Sequence, residues 1–308
     1  MKSTLAPSTA VVSSVKVTAR DPKGLKFMSI VEAAYNKACL SLDEAQRVNE
    51  VSGLGELVGE FIERHRYLLE YKDEEIESRT GYFSGYRPQR IVDQVNRLRE
   101  LFPGLDYANE DLLAQIEKGE AKLPTNAEGW FAIPNWRKNP KIFGSTYSDS
   151  VQKILDRLSE TRKGFFLNCR QGEIYEWHLR QSEKGEEFWR NLAETQCNSG
   201  ILIIAAQFGI RHRGRSIRRA RVVMSGEECG LGAFSVGSML LTHPDRLQHR
   251  DDLWIHCDED EFSPLRGGVF SKSPHFHFLD CTLHFDMRTV NNAHPRFGSP
   301  SVFSLQKE

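Results

Sequence analysis

Six arginines lie within eleven positions of the segment FGIRHRGRSIRRAR, residues 208–221. They are Arg211, Arg213, Arg215, Arg218, Arg219 and Arg221. If the segment is helical, Arg211, Arg215 and Arg218 fall at i, i+4 and i+7 and line one helix face, with Arg219 beside them. Arginine binds phosphate through two parallel N–H···O hydrogen bonds and stacks on bases, so this row favours binding of RNA, DNA or another polyphosphate.

The same segment spells G-x-x-x-x-G-R-S from Gly209 to Ser216, which differs by one residue from a phosphate-binding loop. Here Arg215 stands where such a loop has its lysine. A nucleotide hydrolase also needs an aspartate at the end of another strand to hold magnesium. Only Asp258 qualifies, and it stands in an acidic run. The match is therefore weak evidence for nucleotide hydrolysis.

Acidic residues offer a competing explanation of the arginines. Asp251, Asp252 and the run 258–261 supply six carboxylates, equal in number to the six arginines. If the strands before the two segments are neighbours, the opposite charges lie at one edge and neutralise each other. The arginines would then be internally paired, and the chain would be a structural or interaction protein.

Two clusters offer ligands for a divalent metal, as a metal-dependent nuclease or phosphohydrolase requires. In the first, His275 and His277 share one face of a strand, while His284 and Asp286 share one face of the next. The register of the two strands decides whether these four side chains converge on one ion. The second cluster alternates after a strand and consists of His256, Asp258 and Asp260.

The elements that position these residues follow from periodicity. We predict an α/β fold, with a small, mostly parallel sheet flanked by helices, an N-terminal helical region and a C-terminal antiparallel hairpin. The predicted boundaries are a flexible tail at 1–24, a helical region at 25–122, an α/β domain at 127–262, a hairpin extension at 263–290 and an irregular tail at 291–308. The apolar run from Gly200 to Ala206 predicts a strand buried on both faces.

Parallel strands bind ligands beyond their carboxyl ends, which adds Asn168, Arg170 and Gln207 to the candidate binding residues. Three helix starts are also readable. Ser41 and Glu44 form a capping box, while Asn109 and Ser148 are each placed to cap a helix.

Composition bounds the class of protein. The chain has 308 residues, 39% apolar and 27% charged, with a formal net charge of −1, which is typical of a soluble globular protein. The longest apolar run falls well short of the ~20 residues that cross a bilayer. The six cysteines form no Cys-x-x-Cys pair, so we expect a reducing, cytoplasmic location and no structural zinc finger. Because the net charge is only −1, any nucleic-acid partner must be held by a local basic patch.

Overall fold

The computed structural model describes residues 18–50, 53–67, 70–224, 226 and 228–304. The chain divides into two compact units, Met1–Arg64 and His65–Glu308. The first unit contains α1 (Pro22–Lys37), α2 (Leu42–Glu50) and most of α3 (Leu54–Tyr67). The predicted capping box before α2 is confirmed: the Ser41 amide donates to Glu44 Oε2 over 2.8 Å, and the Glu44 amide donates to Ser41 Oγ over 3.4 Å.

The second unit holds the remaining helices. They are α4 (Ile91–Leu101), α5 (Glu110–Glu117), α6 (Pro140–Phe143), α7 (Tyr147–Arg162), α8 (Glu183–Thr195), α9 (Ile217–Val223) and α10 (Ala233–Thr242). Two short 3-10 helices cover Lys72–Glu74 and Ile210–His212. Asn109 caps α5 as predicted, since its side chain accepts the Leu112 amide. The predicted cap of α7 at Ser148 is wrong, because the N-cap is Thr146, two residues earlier, which forms a capping box with Asp149.

Eleven strands in the described residues form two sheets. They are β1 (Gly129–Pro134), β2 (Phe166–Asn168), β3 (Leu179–Gln181), β4 (Ile201–Gln207), β5 (Glu228–Gly230), β6 (Trp254–His256), β7 (Asp260–Phe262), β8 (Lys272–Leu279), β9 (Thr282–Thr289), β10 (Phe297–Gly298) and β11 (Ser301–Phe303). The first sheet has the order β1-β4-β11-β5. The second runs β10-β6-β8-β7-β3, with β9 beside β8 and β2 beside β9.

The predicted mostly parallel sheet is wrong. All three pairings of the first sheet are antiparallel, and the second sheet is mixed, with parallel pairing only at β10–β6 and β2–β9 among the described strands. The continuous apolar run of β4 reports burial on both faces, since every residue of the strand is buried. Burial on two faces does not fix strand direction, so the inference from apolar run to parallel pairing fails here.

The tail after residue 290, predicted to be irregular, contains two strands. In particular, β11 lies between β4 and β5, so the end of the described chain completes the first sheet. Its three residues are buried, but a strand of three residues carries no periodicity that a sequence pattern could reveal.

Helix α10 is the centre of the core. All ten of its residues are buried, and none is charged, which is the composition expected of a helix covered on every side. It packs against β1, α4 and α7, while α7 also contacts β2 and β3 of the second sheet. No helix in the described part of the chain is both long and apolar enough to cross a membrane.

Candidate functional site

The arginine segment is not one helix. A 3-10 helix ends at His212, and α9 begins at Ile217, with the Ser216 side chain accepting the Arg219 amide as its cap. Between them Gly214 adopts φ 79° beneath the carbonyl of Ile76, where a Cβ atom would collide. The prediction that Arg211, Arg215 and Arg218 line one helix face is therefore wrong.

Two glutamates, Glu74 and Glu75, accept hydrogen bonds from arginines 215, 218 and 219 of the arginine segment. Arg218 donates from Nε to Glu74 over 2.8 Å, and Arg215 donates from Nη2 to Glu75 over 2.6 Å. Arg219 Nε also donates to Glu75, over 3.1 Å. The hydrogen bonds from these guanidinium groups lower the pKa of both carboxyls below their ordinary range.

A third glutamate, Glu228 on β5, binds the start of the segment. Its carboxylate is 1% exposed and accepts from Arg211 Nε over 3.1 Å, His212 Nε2 over 2.7 Å and Ser301 Oγ over 2.5 Å. His212 Nδ1 accepts from Arg215 over 2.8 Å, so the ring proton must sit on Nε2. Burial favours a raised pKa for Glu228, but the His212 hydrogen bond and the nearby cations bring it below its ordinary value.

The acidic run that was predicted to pair with the arginines contacts one of them. Arg221 donates to the backbone carbonyls of Asp258 and Asp260 over 2.5 and 3.0 Å. Arg213 donates to the Thr80 carbonyl over 3.3 Å. All six arginines thus have acceptors within the chain, and four of them, Arg211, Arg215, Arg218 and Arg219, bind Glu74, Glu75 or Glu228.

The second predicted metal cluster, His256, Asp258 and Asp260, does not assemble. Asp260 accepts from the Tyr147 hydroxyl and from the Ala233 amide, each over 2.7 Å, and so caps α10. Asp258 is fully buried with no partner for either carboxylate oxygen, and burial raises its pKa well above the ordinary range. His256 instead faces β8, where its ring lies 6.3 Å from that of His275.

The four residues of the first predicted cluster lie on one face of the second sheet. The turn at Asp280–Cys281 fixes a register that sets His275 opposite Asp286 and His277 opposite His284. β6 adds Trp254 and His256 to the same side, because His256 lies opposite His275. We call these six side chains the histidine face: Trp254, His256, His275, His277, His284 and Asp286.

The histidine rings form a row from solvent to the interior. His284 is partly exposed, His277 is 8% exposed, His275 is 2% exposed and His256 is fully buried. Ring centroids are 4.9 Å apart from His284 to His277 and again from His277 to His275. Burial lowers the pKa of His277 to about 4 and that of His275 to about 3, so these imidazoles are neutral near pH 7.

Several polar atoms of the histidine face are buried without a hydrogen-bond partner. These atoms are Trp254 Nε1, both ring nitrogens of His256, His275 Nδ1 and His277 Nδ1. Each unsatisfied buried donor or acceptor costs about 1–3 kcal/mol, a large share of a net stability of about 5–15 kcal/mol. A concentration of such atoms calls for an occupant that completes their hydrogen bonds, whether water, an ion or a ligand.

The outer end of the face also carries a carboxylate and a thiol. Asp286 Oδ1 accepts from Arg170 Nε over 2.7 Å and from the Met287 amide, and these contacts keep its pKa low despite partial burial. Cys169 Sγ lies 3.9 Å from His284 Nδ1. Among the other predicted binding residues, Asn168 accepts the Arg170 amide, while Gln207 is buried and donates to the Ser299 carbonyl. Asn168 and Gln207 end strands of different sheets, so the structure does not bring these predicted binding residues together.

In the residues that the structure describes, no group of three or more His, Cys, Asp or Glu side chains is placed so that it could hold a metal ion. The reason is the ring orientation: His275 and His277 stack with their planes 12° apart, so their nitrogens do not converge.

Sequence reasoning missed Trp254, Cys169 and Arg288 as members of this region. Trp254 and Arg288 stand two residues from His256 and Asp286 on their strands, so strand alternation puts each pair on one face. Cys169 reaches the face only because β2 lies beside β9.

The chain matches no protein-family model, no curated protein and no solved structure.

Proposed function

We propose that the histidine face binds a divalent transition-metal ion through His275, His277, His284 and Asp286, as the centre of a metal-dependent hydrolase. The observation that carries the proposal is the β8–β9 register, which brings a His-x-His strand opposite a His-x-Asp strand on one face. Imidazole with carboxylate suits zinc, iron or a similar ion, whereas magnesium and calcium prefer oxygen ligands.

The state of the side chains supports this chemistry. A neutral imidazole is the form that binds metal, and His275 and His277 are neutral near pH 7. Their Nδ1 atoms have no partner, so turning the rings out of the stack breaks no hydrogen bond at that nitrogen. Arg170 already orients Asp286, as outer groups orient ligands in metal sites. A bound ion would supply an activated water at neutral pH.

The test uses metal-free protein and zinc chloride in a calorimetric titration. We expect one tight site in the parent chain and a loss of affinity of about 100-fold or more in His284→Ala. His249→Ala is the matched control, because the His249 side chain is half exposed, contacts Asp251 and Phe83, and is not one of the proposed ligands. Absence of a saturable site in the parent chain would refute metal binding.

Hydrolysis is tested separately on the zinc-loaded protein. Bis(p-nitrophenyl) phosphate and p-nitrophenyl phosphate serve as diester and monoester probes. We expect turnover of at least one probe, abolished by chelation and by His284→Ala. Tight zinc binding with neither probe hydrolysed would remove the hydrolase from the proposal and leave a metal-binding protein.

For the arginine segment, its contacts favour a structural role. Nucleic-acid binding there would have to compete with Glu74, Glu75 and Glu228 for the guanidinium groups. That function remains a prediction, and a labelled RNA tests it. Binding that weakens with salt and is lost in Arg211→Ala with Arg215→Ala would establish it, since phosphate contacts release counterions.

A further inference from the structure

The inner end of the histidine face carries buried N–H donors that no metal can satisfy. The indole of Trp254 is a donor only, and its Nε1 atom has no acceptor. His256 has no partner at either ring nitrogen, so whichever nitrogen carries the proton leaves one N–H unpaired. A cation bound nearby would be repelled by these N–H dipoles, whereas a group rich in lone pairs would accept from them.

A guanidinium group stands at the same end. Arg288 follows Asp286 by two residues on β9 and so lies on the same side of the sheet. Its guanidinium carbon is 5.0 Å from the centre of the Phe297 ring, and Asn292 Oδ1 accepts from its Nε over 3.1 Å and from its Nη2 over 3.2 Å. Within the described ranges it forms no ion pair, and Asp286 is already engaged by Arg170.

The donors gather around one ring. Phe297 on β10 packs 4.4 Å from His256 and 5.4 Å from Trp254, measured between ring centroids. His294 packs on the same phenyl ring, at 4.9 Å. The indole N–H, two imidazoles and a guanidinium group therefore surround a single apolar side chain, and no carboxylate forms an ion pair with that guanidinium in the described part of the molecule.

We propose that this inner end, formed by Trp254, His256 and Arg288 around Phe297, binds an oxyanion, the phosphate or carboxylate group of a ligand. An oxyanion offers several lone pairs to the N–H groups and a negative charge to Arg288. Arginine and indole donors make no use of a metal, so the site functions without one. This second role rests on the proposed function: with a metal ion bound toward His284, the face would favour an anionic substrate. The charged group of that substrate would lie beside His256.

The experiment uses the full chain, stripped of metal by EDTA and then dialysed into a buffer free of EDTA, phosphate and carboxylates, with chloride at equal ionic strength as the reference. Sodium phosphate and sodium acetate are titrated in parallel, by calorimetry and by thermal unfolding, to separate the two classes of oxyanion. We expect one of them to bind saturably and to raise the melting temperature. Arg288→Met should weaken that binding about 10- to 100-fold, as the loss of charge-assisted hydrogen bonds does.

Trp254→Phe gives a second, independent readout, because it keeps the ring and removes only the N–H. Removing an unsatisfied donor should leave the melting temperature without anion unchanged or higher, while the rise caused by the anion shrinks. Arg79→Met is the control for lost charge, since its side chain is 91% exposed and pairs with the similarly exposed Glu77; it should bind as the parent does.

Two results would overturn the proposal. The first is no saturable binding of either anion to the parent chain. The second is a Trp254→Phe variant that melts lower and responds to anion as the parent does, which would assign the indole N–H to internal water. Zinc titration of Arg288→Met separates this proposal from the metal site: retained zinc affinity with lost anion binding supports both, and His284→Ala should show the reverse.

Discussion

Replacing Glu228 with glutamine tests whether internal pairing is what holds the arginine segment. The carboxylate is 1% exposed and accepts from Arg211, His212 and Ser301. Glutamine keeps the volume and one acceptor oxygen, but it removes the charge and turns an NH2 group toward the donors. At least one of the three donors then loses its acceptor in a buried place.

The expected cost follows from burial. Leaving a buried donor without its acceptor costs about 1–3 kcal/mol, and more where a charged group takes part. Arg211 is 37% exposed and can turn to water, so its share is small, whereas His212 is 2% exposed and cannot. We therefore expect about 3 kcal/mol, which lowers the melting temperature by roughly 6–12 °C in a domain of this size.

The assay is urea unfolding of the parent, Glu228→Gln and Glu77→Gln as an exposed control, at several pH values. The pKa of Glu228 lies below its ordinary value of 4.5, so its carboxylate adds stability above that pH. That stability is lost as pH falls through the lowered pKa. The difference between parent and Glu228→Gln should thus be full at pH 7 and shrink below about pH 4.5.

Unfolding of Glu228→Gln at the parent's urea concentration would refute this reasoning. It would mean that Arg211 gains nothing from Glu228 and is available to a ligand. A loss of stability equal to that of Glu77→Gln would carry the same meaning, because Glu77 is 80% exposed and is expected to change stability by less than about 0.5 kcal/mol.

Three further outcomes can be checked by the same unfolding measurements. Glu74→Gln should cost about 1–2 kcal/mol, since its partner in the arginine segment is partly exposed; no change would show that this contact is not formed in solution. Burial lowers the pKa of His243 from 6.5 to about 4, so stability should fall by up to about 3 kcal/mol as pH drops from 6.5 through 4, and His243→Gln should lack that loss. Gly237→Ala should destabilise by about 1–3 kcal/mol, because the new methyl meets Ile154, whereas Gly55→Ala, with open space around it, should stabilise its helix by up to about 1 kcal/mol. Equal effects of the two alanines would contradict the packing of α10 on α7.

Local signals in the sequence were sufficient where short-range physics decides the outcome. Ser41 with Glu44 and Asn109 start helices, because their side chains satisfy amides within one turn. The apolar run of β4 correctly indicates a strand buried on both faces. Strand direction was not accessible in this way, because it depends on which distant segment supplies the partner: β11 joins β4 from about a hundred residues later along the chain.

The partners of the arginines show the same division. Sequence proximity pointed to the run 258–261. The arginines instead contact Glu74 and Glu75, because the segment 74–76 packs directly on Gly214, where a side chain would collide with the Ile76 carbonyl. The number and spacing of charges in a sequence do not show which distant segments come into contact in the fold.

The histidine face separates what the sequence determined from what the tertiary structure decided. Strand alternation alone puts His275 with His277, and His284 with Asp286, because successive side chains of a strand point to opposite faces. Whether the two pairs meet depends on register, and the two-residue turn at Asp280–Cys281 fixes it, both residues having positive φ. The inner end depends on more distant pairings, since β6 brings Trp254 and His256 and β10 brings Phe297. Sheet hydrogen bonds between segments far apart in the chain are set by the whole fold, and no local pattern encodes them.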